Sequence, residues 1–210
     1  MAMLYTTSEM LDYMELRYGK GDATARANML KWLQQAERDL WRQGDWWFRE
    51  EEVEYTFAVA VGKYSLAQEV SDVIDMFNAD GTLMEKIPER TWRANYRATA
   101  LAALGTPNRW TLDPRSSSDQ TLVMRIYPLP VTGKTAARMV RELRAATLLD
   151  STDNQSAFPV NDRPAVCLHA LKHMAQHEGK PEMAAQFDAD EKEVLQAVRA
   201  ANAAHKAGNT

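Results

Sequence analysis

Cysteine is nearly missing from this sequence: Cys167 stands alone among 210 residues. No disulfide can form within the chain, and a reducing site of synthesis is the natural reading. Long apolar runs are missing too. No stretch approaches the roughly 20 apolar residues that a helix needs to span a bilayer, so no membrane association is expected. The first residues, MAMLYTTSEML, lack a basic start followed by an apolar run, so no secretory signal is expected either. Excess positive charge is also absent. The formal net charge is −4, which argues against a chain whose main task is gripping nucleic acid. An acidic wall can still let DNA slide past. No internal repeat is visible.

What is present suits a globular protein of one domain or two small ones. Hydrophobic residues make up 45% and charged residues 26%. A first helix is expected from Thr7 or Ser8, either of which can cap it, to about Tyr18, where Gly19-Lys20-Gly21 breaks it. Asp22 can cap a second helix from Ala23 to Gln43. Its apolar positions Met29, Leu30, Leu33, Ala36, Leu40 and Trp41 recur at three and four, which makes one core-facing stripe. Gly44 is expected to end it in a left-handed conformation.

The period then falls towards two. Val53, Tyr55 and Phe57 alternate with Glu52, Glu54 and Thr56, as in a half-buried strand. Trp46 and Phe48 have the opposite parity and are expected to anchor the sheet to the helices, so a β-bulge between Arg49 and Glu52 is expected. Trp47 is then left over as an exposed corner. Gly62–Leu66, Val73–Phe77 and Thr82–Ile87, with a turn at Asn78–Gly81, suggest a small antiparallel meander. Pro88 opens a helix expected over about 89–104. Trp110–Leu112 and Thr121–Tyr127 read as paired strands around an exposed polar loop near 113–119. The pattern of Thr135–Leu149 favours a helix over an exposed strand. After a loop at 150–161, Asp162 and Pro164 open a helix to about Glu178, and a last helix runs to about Ala204 before a frayed end.

The fold class is therefore α+β. Helices from both ends (1–45 and 160–205) form a bundle, a small antiparallel β-rich region (46–150, with one helix near 89–104) is inserted, and 206–210 is a frayed tail.

Four glutamates, Glu50, Glu51, Glu52 and Glu54, raise the question of glycoside hydrolysis, which uses paired carboxylates. Yet Glu50, Glu52 and Glu54 share the strand face opposite Val53, Tyr55 and Phe57, as a solvated face does. His169, His173 and His177 lie at i, i+4 and i+8 on a helix, a spacing that allows a shared metal. They flank an apolar stripe without the HExxH pattern, so lining a boundary is the favoured reading and no metal or cofactor is expected. Gly133-Lys134-Thr135 lacks the earlier glycine of a phosphate loop, and Cys167 reads as a small core residue. Arg90, Arg93, Arg97 and Arg109 bracket a helix carrying Trp92 and Tyr96, with Trp110 beyond. In an acidic chain this mixture favours a protein interface over nucleic-acid stacking.

The order of features resembles the head-to-tail adaptors (connector or head-completion proteins) of tailed bacteriophages, including the tail tubular protein A type. It covers residues 5 to 200: LKWLQQAERDLWRQ, Trp46-Trp47-Phe48, Gly62, Tyr64 and Leu66, Asp72-Val73-Ile74, Gly105-Thr106-Pro107 with Trp110, a strand ending Tyr-Pro-Leu-Pro, and two closing helices. The resemblance implies a virion protein at the head–tail junction, made in the host cytoplasm. It also implies an oligomeric ring, typically a dodecamer, that binds the portal, extends the DNA channel and docks the tail or nozzle. It implies that Thr135 to Leu149 is extended, and strand is the expectation adopted. It further implies that the last helix reaches the portal. The expected subunit or portal contacts are Trp47, Arg93, Tyr96, Arg97, Trp110, His205 and Lys206. The rivals are a cell-wall glycan hydrolase using Glu50 or Glu52 and a small DNA-binding structural module.

Overall fold

The computed structural model describes residues 4–96, 103–113, 121–131 and 135–208. The chain divides into two compact units, residues 1–48 with 145–210 and residues 49–144.

The first unit is helical: α1 (Thr7–Tyr18), α2 (Ala23–Gln43), α4 (Arg163–His177) and α5 (Pro181–Gly208). Thr6, not Thr7 or Ser8, caps α1, because Glu9 then stands at the third helical position and closes a capping box. Thr7 is buried instead, its hydroxyl donating to Asn154. Gly19 ends α1 at φ 72°, where a side chain would be strained. Asp22 caps α2 by accepting from the Ala25 amide at 2.8 Å. Gly44 departs from the expectation. Its backbone is extended, at φ −127° and ψ 148°. Glycine is needed there for space: a Cβ would lie 2.2 Å from the Trp46 ring. α4 is the buried centre of the unit and packs on α1, α2 and α5. Asp162 precedes it without a side-chain cap bond. α5 runs past the expected Ala204, so residues 206–208 are helical rather than frayed.

Trp41, Trp46, Phe48 and Phe158 form an aromatic cluster with ring centroids 5.3–6.0 Å apart. The Trp46 indole donates to the Leu40 carbonyl at 2.9 Å, so its polar atom is satisfied while its ring is buried. Burying one such ring contributes roughly 4–6 kcal/mol before entropy is charged.

The second unit is a two-sheet sandwich with one helix. A sheet of order β1-β9-β3 combines β1 (Glu50–Phe57), β9 (Thr135–Leu143) and β3 (Val70–Asn78). A second, of order β2-β7-β6-β4, combines β2 (Lys63–Ser65), β7 (Val123–Tyr127), β6 (Arg109–Asp113) and β4 (Glu85–Lys86). Short strands β5 (Leu104–Gly105) and β8 (Leu129–Pro130) pair in parallel. Phe57, Val73, Met76 and Met139 of the first sheet meet Trp110, Met124 and Ile126 of the second in one core.

Several expectations fail here. The β1–β9 pairing is unbroken from Glu50 to Phe57, so there is no bulge between Arg49 and Glu52. A 3-10 turn, Trp47–Arg49, makes the change of parity, and Trp46 and Phe48 belong to the helical unit. The register shifts lie in β3 instead, between Val70 and Asp72 and between Val73 and Asp75. Of the meander, the turn at Asn78–Gly81 holds, with Leu83 bridging Phe77 in antiparallel; the strand order does not, since β4 pairs in parallel with β6 and distant β9 is the centre of its sheet. The middle helix, α3 (Glu89–Asn95), ends before Leu104, which is in β5. Thr135–Leu143 is a strand, against the helical pattern but as the adopted expectation had it, and the strand ends before Leu149. The expected loop at 113–119 lies outside the described residues except for Asp113, which ends β6.

Candidate interaction surfaces

The expected contact residues fall in two places. In the helical unit, Trp47 stacks on His205 with ring centroids 4.2 Å apart and remains 37% exposed. Asn202 accepts from the Trp47 amide at 2.7 Å and donates to the Asp45 carbonyl at 3.0 Å. Lys206 pairs with the Asp45 carboxylate. Trp47, His205 and Lys206, named for separate reasons, thus share one corner, where the end of α5 meets the chain leaving α2. His205 and Lys206 already have partners within the chain there.

In the sandwich, Arg93 is exposed and forms an i, i+4 pair with Glu89. Tyr96 packs between Trp92 and Tyr127, each ring centroid 5.1 Å away, and lies under the Arg109 guanidinium. Trp110 must be removed from the set of surface contacts. It is fully buried, because strand alternation turns it with Leu112 into the core, and its indole donates to the Met84 carbonyl at 3.3 Å. Arg97 lies outside the described residues, as do Gly133 and Lys134. A cleft of about 570 Å³ opens beside α3, lined by Gly62, Lys63, Trp92, Arg93, Tyr96 and Arg125.

Glu50, Glu52 and Glu54 of β1 stand on an exposed strand face, and Glu51, also exposed, has the opposite parity. Glu52 pairs with Arg138 at 3.0 Å and Glu51 with Arg141 at 2.7 Å, both across the β1–β9 ladder. Such cross-strand pairs serve the register of the sheet. The histidines do different things from one another. His169 is buried, with its Nδ1 2.6 Å from Glu191 and its Nε2 3.2 Å from the His173 Nε2. Lys172 also reaches Glu191, at 2.5 Å. Burial and the neighbouring His169 push the His173 imidazole below its ordinary pKa, favouring the neutral ring. His177 packs on Trp32. Among the described residues, no three His, Cys, Asp or Glu side chains are placed to hold a metal ion. No described helix is long and apolar enough to cross a membrane. Cys167 is buried in α4, and burial pushes its thiol well above the ordinary range.

One buried group escaped the sequence reading. Glu37 is fully buried in α2, where Ser156 donates to its Oε2 at 2.7 Å and the Ala157 amide to its Oε1 at 2.8 Å. Burial raises its carboxyl to about 7, against the downward pull of those bonds and of Arg163. Arg163, also buried, donates to the carbonyls of Leu4, Tyr5, Ser156 and Phe158. Together they fix the 155–158 loop to the bundle. The signal was available: Glu37 sits between Leu33 and Trp41 at intervals of four, inside the apolar stripe.

A model of the SU10 adaptor protein family matches residues 5–209. No curated protein matches the chain. The α+β build, with helices from both ends of the chain in contact and sheets inserted between them in sequence, accompanies a family match over nearly the whole length. The chain belongs to the SU10 adaptor protein family and is a phage head–tail adaptor.

Proposed function

We propose that this protein is a ring-forming subunit at the head–tail junction of the virion. The ring binds the portal, extends its DNA channel and offers the tail or nozzle a docking surface. The family match over residues 5–209 carries this reading. A heterologous contact between identical subunits closes into a ring when its rotation divides the circle, and twelve is the number expected here. An overall charge of −4 suits a wall past which DNA must move without being held. The corner of Trp47, His205 and Lys206 is the proposed portal contact, and Arg93 and Tyr96 belong to the contact between subunits.

The test mixes the purified chain with the portal protein of the same phage and measures particle mass, with electron microscopy of the product. A closed ring on the portal is expected. Persistent monomers that leave the portal unbound, across micromolar concentrations of both proteins, refute the reading.

A further inference from the structure

The sandwich unit has faces of opposite charge. Its first sheet turns Val53, Tyr55 and Phe57 of β1 inward, so Glu50, Glu52 and Glu54 point away from the core. The register sets Glu54 opposite Arg138, and Val140 between Glu52 and Asp75. This outer face therefore carries the carboxylates of Glu50, Glu52, Glu54, Asp75 and Glu142; Glu52 holds the Arg138 guanidinium and Glu142 that of Arg49. Glu50, Glu54 and Asp75 have no ion-pair partner among the described residues. Phe77 and Val140 lie half-buried among these charges.

The second sheet turns Trp110, Met124 and Ile126 inward, so Lys63, Arg109, Arg125 and Tyr127 face outward, on the far side of the sandwich. α3 covers that side through Tyr96, which packs on Tyr127. Here Arg93, Arg109 and Arg125 are each neutralised, by Glu89, Glu85 and Asp113. Lys63 and the exposed Arg90 are not, among the described residues. The cleft beside α3 reaches Leu129, which pairs with Leu104, and both Leu104 and Val131 leave more than half of their surface to solvent. Each face thus combines apolar surface with charge, and the charges have opposite sign.

A patch that meets its own copy across a two-fold axis must be complementary to itself. Two different patches of opposite sign on opposite sides favour the other arrangement, in which each copy's back meets the next copy's front. We infer that the acidic outer face of β1 docks on the α3 side of a second copy of this chain, with Glu50 and Glu54 of one copy answering Lys63 and Arg90 of the next. This rests on the proposed ring and names the surfaces that would build it.

The four unpaired charges permit a clean test, since reversing them removes no internal ion pair. One full-length variant carries Glu50→Lys with Glu54→Lys, and the other carries Lys63→Glu with Arg90→Glu. Particle mass is measured on the portal protein of the same phage, with circular dichroism and thermal melting to verify folding. Each variant alone is expected to lose at least roughly tenfold in assembled fraction, through like charges opposed at every junction. An equimolar mixture is expected to recover the wild-type assembly, because the two variants alternate and every junction regains opposite signs. A chain carrying all four changes is expected to recover it as well.

If both folded variants assemble alone like the wild type, the assignment of faces is overturned while the ring stands. The same follows if the mixture of two assembly-defective folded variants stays inert. A wild type that never assembles overturns the ring itself and the contact with it. If either paired variant fails to fold, the single changes Glu54→Lys and Arg90→Glu are mixed in the same way and read by the same criteria.

Discussion

Glu37 offers the sharpest test of how the helical unit is held together. Its carboxyl has no exposed surface, and the fold lifts it from an ordinary 4.5 to about 7. A folded state that binds a proton more tightly than the unfolded chain is favoured by acid. Below pH 4.5 the group is protonated in both states and carries no penalty. As the pH rises from 4.5 to about 7, the unfolded chain ionises first and stability falls; above that the penalty is constant. At about 1.4 kcal/mol for each pH unit between the two values, the full penalty is about 3 kcal/mol. Glu37→Gln imitates the protonated acid: its amide oxygen accepts from the Ala157 amide and its NH₂ donates to the Ser156 hydroxyl. Urea unfolding of both proteins, followed by tryptophan emission from pH 4.5 to 8, isolates this group because the other titrations cancel in the difference. The curves should meet near pH 4.5. They should part to about 3 kcal/mol in favour of the glutamine protein at pH 8, a midpoint shift of roughly 1–1.5 M. Parallel curves across this range, or a glutamine protein weaker at pH 8, would refute the assignment of a buried, strained carboxylate.

Gly44→Ala forces a methyl group against the Trp46 ring and should cost about 1–3 kcal/mol, seen as a lower melting temperature with red-shifted tryptophan emission. Arg26 binds Asp12, Glu15, Asp150 and the Ser8 hydroxyl at once, and its guanidinium holds the Asp150 carboxyl below the ordinary range. Arg26→Lys loses the planar fork and should cost about 1 kcal/mol at pH 7 after solvent screening. An Asp150 whose folded value is depressed stabilises above its ordinary 3.8, so in chemical unfolding that difference should shrink as the pH falls through the folded value. Asn202→Ala removes both bonds that tie α5 to the Asp45–Trp47 corner. Amide exchange over residues 200–208 should quicken while the melting temperature stays within about 1 °C, since exposed bonds contribute little to global stability.

The helices were legible because each carries its own evidence. α2 states its start in Asp22, its end in Gly44 and its buried side in Leu33, Ala36, Leu40 and Trp41, all within one window of sequence. The sheets were not, because strand order is a property of pairs. β9 binds β1 some 80 residues before it, and nothing local says so. Its Met139, Val140 and Leu143 fit a helical face, yet in the sheet Ala137 and Met139 go inward while Arg138 and Val140 go outward. Tertiary pairing overrode the local period. β4 failed for the same reason, since two residues that return from a turn carry no sign that they will lie parallel to β6.

The interaction surfaces divide along the same line. Trp47 was legible as an odd residue out of step with its neighbours, but its contact with His205 joins segments about 160 residues apart. Trp110 alternates with Leu112, which assigns it to the core, whereas residue type alone suggests a surface contact. Glu191 repeats the lesson of Glu37. It follows Phe187 and precedes Leu195 at intervals of four, so the stripe itself predicts a buried carboxylate, and His169 with Lys172 answers it. The glutamates of β1 were correctly placed on a strand face. Their significance depends on a fact no single strand contains, which is that β1 and β2, only five residues apart in sequence, enter different sheets of the sandwich. That parting puts Glu54 and Lys63 on opposite outer faces. A chain polarised in this way has a reason to meet its copies front to back.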